Sequence, residues 1–195
     1  MAVRVAWTAG PVLAACAALA QPVGPAFDCA KAEGTAEQLI CRDPELAARD
    51  VRMDEVYRAA MARAGSAAER MRAEQVGWIK GRNDCWKSAD ASVRQCVEDA
   101  YRTRIAELQV ESALVPVQST AVFACGPSER DRIAVAFFET DPRTARLERT
   151  GESVLAYSVP SASGARYAGQ NVTFWSKGPE ATVEWLGAAL RCRTK

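Results

Sequence analysis

Histidine is absent from all 195 residues, and this absence excludes several kinds of catalytic site. Without histidine there is no Ser-His-Asp triad, no Cys-His pair and no imidazole ligand for a metal ion. An excess of one charge is also absent, because 25 Lys and Arg against 24 Asp and Glu leave a net charge of +1. A nearly neutral chain has no broad electrostatic footprint for nucleic acid. The sequence therefore predicts neither a histidine-dependent enzyme nor a nucleic-acid partner.

Long apolar runs are missing except near the start, where Arg4 precedes the mostly apolar residues 5–15. This run is too short to span a membrane, and a positive residue before it is typical of an export signal. We therefore interpret residues 1–20 as a signal peptide. Two cleavage sites compete. Cys16 in "LAAC" matches a bacterial lipobox, in which the cysteine is lipidated, whereas "ALA" before Gln21 matches an ordinary A-x-A site.

The number of cysteines favours the lipobox. Seven cysteines are an odd number, and setting Cys16 aside leaves an even set suited to disulfides in an oxidising compartment. Close C-x₂₋₄-C pairs are lacking, which disfavours a Cys₄ zinc site. The sequence predicts no bound metal and no cofactor. The alternative is that Cys16 is an ordinary residue of a discarded leader.

Residues 27–110 have the apolar spacing and the start signals of helices. Asp43 before a proline is typical of a helix N-terminus, and Ser92 begins a Ser-x-x-Gln capping box. Similar boxes begin at Thr35 and Ser66. Apolar residues then recur at intervals of three and four. The pattern predicts an antiparallel helical hairpin with smaller helices at its ends.

Four cysteines lie in this helical half, and four cysteines allow three connectivities. The end of the second long helix should return beside the start of the first. We therefore predict the disulfides Cys29–Cys85 and Cys41–Cys96. Such staples suit a domain of fewer than about 100 residues, whose hydrophobic core is small.

The period of the pattern changes to two after a linker at residues 111–120, which contains Pro116. Short alternating runs separated by Gly, Pro and Asp turns fill residues 121–195 and predict a small antiparallel barrel or sandwich. Cys125 in the first strand and Cys192 in the last predict a disulfide that ties the two ends of this domain. The predicted fold class is therefore α+β, as two separate domains.

The stretch "SGARYAGQNVTFWSK", residues 163–177, predicts a hairpin with a hydroxyl at one end and an ammonium at the other. With a turn centred near residues 169–170, the antiparallel partner of Ser163 is Lys177 or the residue before it. Gly164 permits a close backbone approach beside the serine. The sequence thus predicts that Ser163 and Lys177 share the open end of the hairpin.

The β half resembles the MliC/PliC family of bacterial inhibitors of c-type lysozyme. The resemblance covers residues 121–195 and is carried, in this order, by "FACG", "SASGARY", "FWSKG", "EAT" and a closing cysteine. It implies an eight-stranded antiparallel barrel. It also implies that Ser163 and Lys177, which match the family's characteristic serine and lysine, enter the lysozyme cleft. The further lysozyme-binding residues are taken from the serine motif, "SASGARY", and are Gly164, Arg166 and Tyr167. Tyr167 and Trp175 also match the family's flanking aromatics, which are expected to brace the loops more than to contact the target.

The helical half is similar to the LprI-type domain, a family named after a mycobacterial lipoprotein associated with lysozyme inhibition. Between residues 27 and 108 the resemblance is carried by "FDCAKAEGTAEQLICRDPELAARD", "EQVGWIKGRNDC" and "YRTRIAEL". These motifs mostly describe helix caps, core positions and cysteines. They support the fold of this half more than they define a binding site.

Together the resemblances imply a bacterial cell-envelope protein, periplasmic or lipid-anchored, whose partner is c-type lysozyme and which blocks that enzyme without catalysing a reaction. Two alternatives stay open. One is a non-inhibitory envelope module, in which the helical domain binds another envelope protein and the barrel is a spacer. The other is an enzyme with paired carboxylates, at Glu107 and Glu111 or at Glu139 and Asp141. The sequence disfavours it, because both pairs have the pattern of solvated helix and turn residues.

The charge of the β half fits poorly with a strongly basic target. From residue 123 onward ten Lys and Arg stand against eight Asp and Glu, a net charge of +2. Complementary charge speeds association, so an acidic inhibitor would suit a basic lysozyme better. The sequence therefore predicts either a slower, more salt-tolerant association or a less basic target.

Overall fold

The computed structural model describes residues 24–88 and 92–194, which form a helical region followed by a closed β-barrel. The predicted signal peptide and the predicted lipidation site, Cys16, lie outside these residues. Within the described ranges, none of the helices combines the length and the hydropathy needed to cross a bilayer.

The described helical region has three long helices, where the sequence predicted a hairpin of two long helices with smaller helices at its ends. The longest two pack along each other, and the others pack against this pair. The helices are α1 (Thr35–Arg42), α2 (Pro44–Arg63), α3 (Ala68–Asn83) and α4 (Val93–Glu111), of which α2 and α4 form the central pair.

Two of the four predicted helix starts are confirmed by their caps. The carboxylate of Asp43 accepts hydrogen bonds from two backbone N–H groups of α2, at 3.0 and 3.2 Å. The hydroxyl of Ser92 accepts one from α4 at 3.1 Å. Such caps stabilise a helix by about 1 kcal/mol each. The other two starts are displaced by one residue, since Thr35 already lies inside α1 and the helix after Ser66 begins at Ala68.

A buried polar cluster fixes the three long helices to the segment before α1. The phenol of Tyr101 donates to Asp50 Oδ1 at 2.7 Å, and Arg82 Nη1 donates to both groups, at 2.6 Å to the phenol and 3.4 Å to the carboxylate. The backbone N–H of Ala26 completes the cluster by donating to Asp50 Oδ2 at 2.7 Å. Burial raises the pKa of Tyr101, so its hydroxyl stays a donor. Because each member is paired, the cluster is a structural element.

The two disulfides of the helical region differ from the predicted ones. The sequence predicted Cys29–Cys85 and Cys41–Cys96, but the structure joins Cys29 to Cys41 and Cys85 to Cys96. The prediction assumed that the far ends of a long hairpin meet. Instead, short 3-10 turns hold Cys29 and Cys85, and each turn packs against the helix that carries its partner cysteine. All four sulfur atoms are therefore bonded in pairs, which contradicts the alternative of a Cys₄ zinc site.

The second region is a closed barrel of eight antiparallel strands in chain order, as the resemblance implied. Alternate side chains point inward and fill it with aliphatic and aromatic groups, among them Phe123, Leu147, Phe174 and Val183. The strands are β1 (Ser119–Ala124), β2 (Arg132–Phe138), β3 (Thr144–Arg149), β4 (Glu152–Val159), β5 (Ala165–Gly169), β6 (Val172–Lys177), β7 (Glu180–Trp185) and β8 (Ala188–Thr194).

The seam that closes the barrel is short and carries a disulfide. β1 and β8 pair through only two described residue pairs, Phe123 with Thr194 and Ala124 with Arg193. The predicted disulfide Cys125–Cys192 is confirmed and lies directly beside these pairs, with its Cα atoms 4.0 Å apart. It joins positions separated by 67 residues. The disulfide therefore supplements the weakest strand pairing of the barrel.

Hydrogen-bonded arginines join the helical region to one side of the barrel. Arg102 of α4 donates to the carboxylate of Asp141, in the β2–β3 turn, with Nη2 2.5 Å from Oδ1. Arg49 of α2 approaches the same carboxylate at 3.9 Å. From the barrel, Arg146 Nη2 donates to the carbonyl oxygen of Val110 at 3.3 Å. These contacts hold α2 and α4 against the β2–β3 turn and β3.

This junction predicts an acid-sensitive contribution to stability. The hydrogen bond from Arg102 lowers the pKa of Asp141. The contribution of Asp141 is then complete above about pH 4, the usual unfolded-state value, and is lost as the pH falls through the lower folded-state value. We expect Asp141→Asn to lower the unfolding free energy at pH 6 and to lose that effect towards pH 2.5, as measured by urea denaturation. Asp54→Asn, which affects only a local pair on α2, is the control, and an equal pH dependence there would contradict the assignment.

Candidate functional site

The hairpin that contains the candidate site is displaced by one residue from its predicted register. β5 and β6 pair from Gly169 with Val172 to Ala165 with Ser176, around a two-residue turn. Extending this register by one step places Gly164 opposite Lys177, whereas the prediction placed Ser163 opposite Lys177 or Ser176. Ser163 thus lies two residues beyond the last strand pair, at the open end of the hairpin.

Gly164 holds the serine loop directly against the end of β6. Its φ of +69° lies in the left-handed region, which glycine adopts without steric cost. A Cβ atom at this position would stand 2.2 Å from the carbonyl oxygen of Ser176 and 3.2 Å from Cβ of Lys177. Only glycine fits this approach without displacing the backbone. The short distances place Gly164, the residue after Ser163, directly beside Ser176 and Lys177.

Ser163 is exposed, and its loop is braced through its backbone. The carbonyl oxygen accepts hydrogen bonds from Trp175 Nε1 and from the hydroxyl of Ser161, both at 2.8 Å. The hydroxyl of Ser163 itself makes no hydrogen bond with any residue in the described part of the chain. Trp175 therefore supports the loop, and the serine hydroxyl is left available to a partner.

Lys177 ends β6 on the outer surface of the barrel. It is exposed, and Gly178 turns the chain immediately after it with a φ of +58°. Its antiparallel partner on β7, Glu180, instead pairs with Arg193 at 2.9 Å. Across residues 24–88 and 92–194, no ion pair or side-chain hydrogen bond is found for Lys177. The ammonium group is therefore not neutralised within the described fold.

The two remaining residues of the serine motif point in opposite directions. Arg166 is exposed on the outer face, where its strand partner is Trp175. Tyr167 is only 8% exposed and packs inside the barrel against Phe137 and Phe174, with ring centroids 5.7 and 6.3 Å apart. Direct contact of Tyr167 with a partner, as its place in the predicted binding set implied, does not fit this burial. Its position fits a role in supporting the hairpin from within.

A shallow pocket of ≈ 650 Å³ adjoins Lys177 and extends to the barrel seam. Sequence reasoning did not single out its arginines, which come from the last strand. The only available signal was the alternation of side chains along β7 and β8, and this signal requires a known register. The polar and aromatic residues that line the pocket are Trp175, Lys177, Glu180, Thr182, Arg191 and Arg193.

The carboxylates considered for an enzyme are all engaged with arginines. Paired carboxylates that carry out acid–base chemistry need one member with a raised pKa, whereas the pKa of Asp141 is lowered. The described residues also contain no cluster of three or more acidic or cysteine side chains able to hold a metal ion. The ion pairs are Glu107 with Arg104, Glu111 with Arg146, Glu139 with Arg143, and Asp141 with Arg102.

The helical region has a concave surface of its own, a groove of ≈ 480 Å³. Its lining combines apolar and aromatic residues, such as Phe27, Trp78 and Ile79, with charged and polar residues such as Asp28, Lys31 and Glu37. The charged groups at its base, Asp50 and Arg82, are paired with each other. The groove is therefore a mixed apolar and polar surface, and the pairing of Asp50 with Arg82 neutralises the charges at its base.

The chain joins a helical region with short-range disulfides to an eight-stranded barrel closed by a disulfide, and each of these two regions matches a known family. Residues 28–108 match the family described as "Lysozyme inhibitor LprI". Residues 123–191 match the family described as "Membrane-bound lysozyme-inhibitor of c-type lysozyme". The order of the two matches is the order of the helical region and the barrel. Both family descriptions point to lysozyme inhibition.

Whole-length relatives define the family more closely. The chain is 32% identical over 189 residues to proteins named "Lipoprotein LprI" from Mycobacterium tuberculosis and Mycobacterium bovis, covering 94% of each chain. It therefore belongs to the LprI lipoprotein family. It is also 44% identical over 55 residues to a "Membrane-bound lysozyme inhibitor of C-type lysozyme" from Cupriavidus necator, covering 28% of this chain and 44% of that protein.

Proposed function

We propose that this chain inhibits c-type lysozyme in the bacterial cell envelope by inserting Ser163 and Lys177 into the active-site cleft of the enzyme. The observation that carries the proposal is the close packing of Gly164 on the end of β6. It holds an available hydroxyl beside an ammonium group that has no partner in the described fold. Because the barrel is closed and disulfide-bonded, these two groups are held in place before the enzyme binds. We refer to Ser163 and Lys177 together as the plug.

The chemistry of the cleft suits these two groups. Lysozyme uses two carboxyl groups, one protonated as a general acid and one ionised. Lys177 pairs with the ionised carboxylate, and Ser163 accepts a hydrogen bond from the protonated acid or donates one to the ionised group. Exclusion of water from the closed cleft strengthens both contacts. The inhibitor thus occupies the catalytic groups and undergoes no reaction.

The test is a competition assay with the intact exported chain. We expect it to stop the clearing of a bacterial cell-wall suspension by c-type lysozyme at near-stoichiometric ratios. A chito-oligosaccharide that fills the cleft should lower its apparent affinity, because both bind the same site. Absence of inhibition would favour the non-inhibitory envelope module. Inhibition that the oligosaccharide leaves unchanged would place binding outside the cleft.

We propose that the protein is anchored to the envelope through Cys16. The lipobox supports this anchor, and so does the odd number of cysteines, since the other six form three disulfides. The mass of the mature N-terminus tests the assignment. A diacylated Cys16 is expected, and an unmodified chain that starts at Gln21 would show a soluble periplasmic protein.

Gly164→Ala is expected to weaken inhibition about tenfold or more, although the added methyl group need not touch the enzyme. The methyl group would collide with the carbonyl oxygen of Ser176 and would occupy a φ that alanine disfavours. The serine loop must then move away from Lys177, and a small misplacement of a binding group costs affinity steeply. Inhibition constants measure the effect. Gly151→Ala, a positive-φ glycine in the β3–β4 turn with open space around it, controls for backbone strain alone.

A further inference from the structure

Four neighbouring strands contribute an outward row of side chains next to the proposed plug. The inward neighbours along the same strands, such as Tyr167, Phe174 and Val183, are buried, so the row itself faces solvent. The cross-strand pairings place in this row, from β5 to β8, Arg166, Trp175, Thr182 and Arg191.

A second outward row lies two residues along the same strands and contains the proposed binding lysine. There, Lys177 pairs across to Glu180, and Glu180 pairs across to Arg193. We refer to the two rows together as the basic face. Its members are Arg166, Trp175, Lys177, Glu180, Thr182, Arg191 and Arg193.

The positive charge of the barrel is concentrated on the basic face. The face has four cations and one carboxylate, whereas the rest of the described barrel has five arginines against seven acidic residues. Arg193 pairs with Glu180. Arg166, Lys177 and Arg191, by contrast, make no ion pair with any residue that the structure describes. Three cations are therefore left uncompensated on one side of the molecule.

These charges extend well beyond one catalytic site. Arg166 and Arg191 lie three strands apart, which corresponds to roughly 15 Å across the sheet. Two carboxyl groups inside a cleft can engage Lys177 but cannot also satisfy arginines on both sides of it. A surface that complements the whole face needs further carboxylates along the walls of the cleft.

We infer that the basic face selects its partner, and that the preferred partner is a lysozyme whose cleft is bordered by acidic residues in addition to the catalytic pair. The inference rests on the proposed function. In this arrangement Lys177 and Ser163 block the catalytic groups, and Arg166 and Arg191 contact the acidic rim. Long-range attraction from these charges raises the association rate, and salt screens it. A strongly basic lysozyme lacks that attraction.

The test compares association rates of charge variants. We expect Arg166→Gln with Arg191→Gln to slow association with an acidic c-type lysozyme about tenfold in about 0.02 M salt and to have little effect in about 0.5 M salt. The matched control, Arg58→Gln with Arg72→Gln, removes the same charge from exposed positions on α2 and α3. It should leave the rate unchanged. With a strongly basic c-type lysozyme, the Arg166/Arg191 variant should associate no more slowly than the unaltered protein.

A variant that makes the basic face more positive distinguishes the effect of this face from the effect of the net charge of the chain. Glu180→Gln removes the only carboxylate of the basic face and releases Arg193, so it should speed association with the acidic lysozyme severalfold at low salt. If the unaltered protein inhibits both lysozymes and none of these variants changes the rate beyond its control, the inferred selection is wrong while the proposed function stands. If the unaltered protein inhibits neither lysozyme, the inferred selection and the proposed function are both wrong.

Discussion

Lys177→Ala is expected to weaken lysozyme inhibition by at least about thirtyfold, because removing one side of a buried charge pair typically costs about 2–5 kcal/mol. Lys177 carries a charge that the described fold leaves unpaired, so its loss should not disturb the barrel. The variant would leave an ionised carboxylate of the enzyme buried without its counter-charge. Inhibition constants from cell-wall clearing measure the loss, which should arise from faster dissociation.

Ser163→Ala tests the other half of the plug and should have a smaller effect. It removes one hydroxyl but keeps the carbonyl oxygen that Trp175 and Ser161 bind, so the loop stays in place. The proposed mechanism places both groups in the same cleft, and the double variant is therefore expected to deviate from the sum of the single effects. Lys80→Ala, an exposed lysine on α3, is the matched control. Full inhibition by the double variant would refute the proposed mechanism.

The sequence was informative wherever a local rule determines the structure. The side-chain period separated the helical region from the barrel, and the caps at Asp43 and Ser92 formed as predicted. The antiparallel pairing of the two strands that flank the candidate site also followed from hairpin geometry. The register was off by one because the turn occupies Gln170 and Asn171, and Asn171 adopts a positive φ that the sequence pattern did not identify.

The disulfides of the helical region show where local rules end. Pairing Cys29 with Cys41 closes a loop of 12 residues, and pairing Cys85 with Cys96 closes one of 11. The helical spacing of apolar residues is compatible both with disulfides that close short loops and with disulfides that close long ones. The choice depends on how the short 3-10 turns fold back on their neighbouring helices, and this packing has no periodic signal.

The basic face was also beyond the reach of the sequence, although each of its residues is visible there. Arg166 and Arg191 are 25 positions apart along the chain and become part of one surface only through three successive strand pairings. A shift of one residue in any of these pairings would turn one arginine towards the core. The inferred preference for an acidic partner therefore depends on the register of the strand pairings in the barrel.

Removing the Cys125–Cys192 disulfide is expected to cost more stability than removing either helical disulfide. In the chain-entropy model, closing 67 residues contributes about 4 kcal/mol, against about 3 kcal/mol for loops of 11 or 12 residues. The location adds to this difference, because β1 and β8 are joined by only two described residue pairs. Without the bridge, the seam can open at the point where the closed sheet has the fewest hydrogen bonds.

The expected result for Cys125→Ala with Cys192→Ala, which avoids free thiols, is a fall in the melting temperature of the barrel of roughly 15–30 °C. Calorimetry measures the fall, and faster hydrogen exchange in β1 and β8 would locate it at the seam. Cys29→Ala with Cys41→Ala is the matched control. An equal or larger loss in that control would show that the seam does not limit stability. Cys125 and Cys192 also line the pocket beside Lys177. An open seam should therefore weaken inhibition before the barrel unfolds. In this way the oxidation state of the two cysteines would affect the inhibitory activity of the chain.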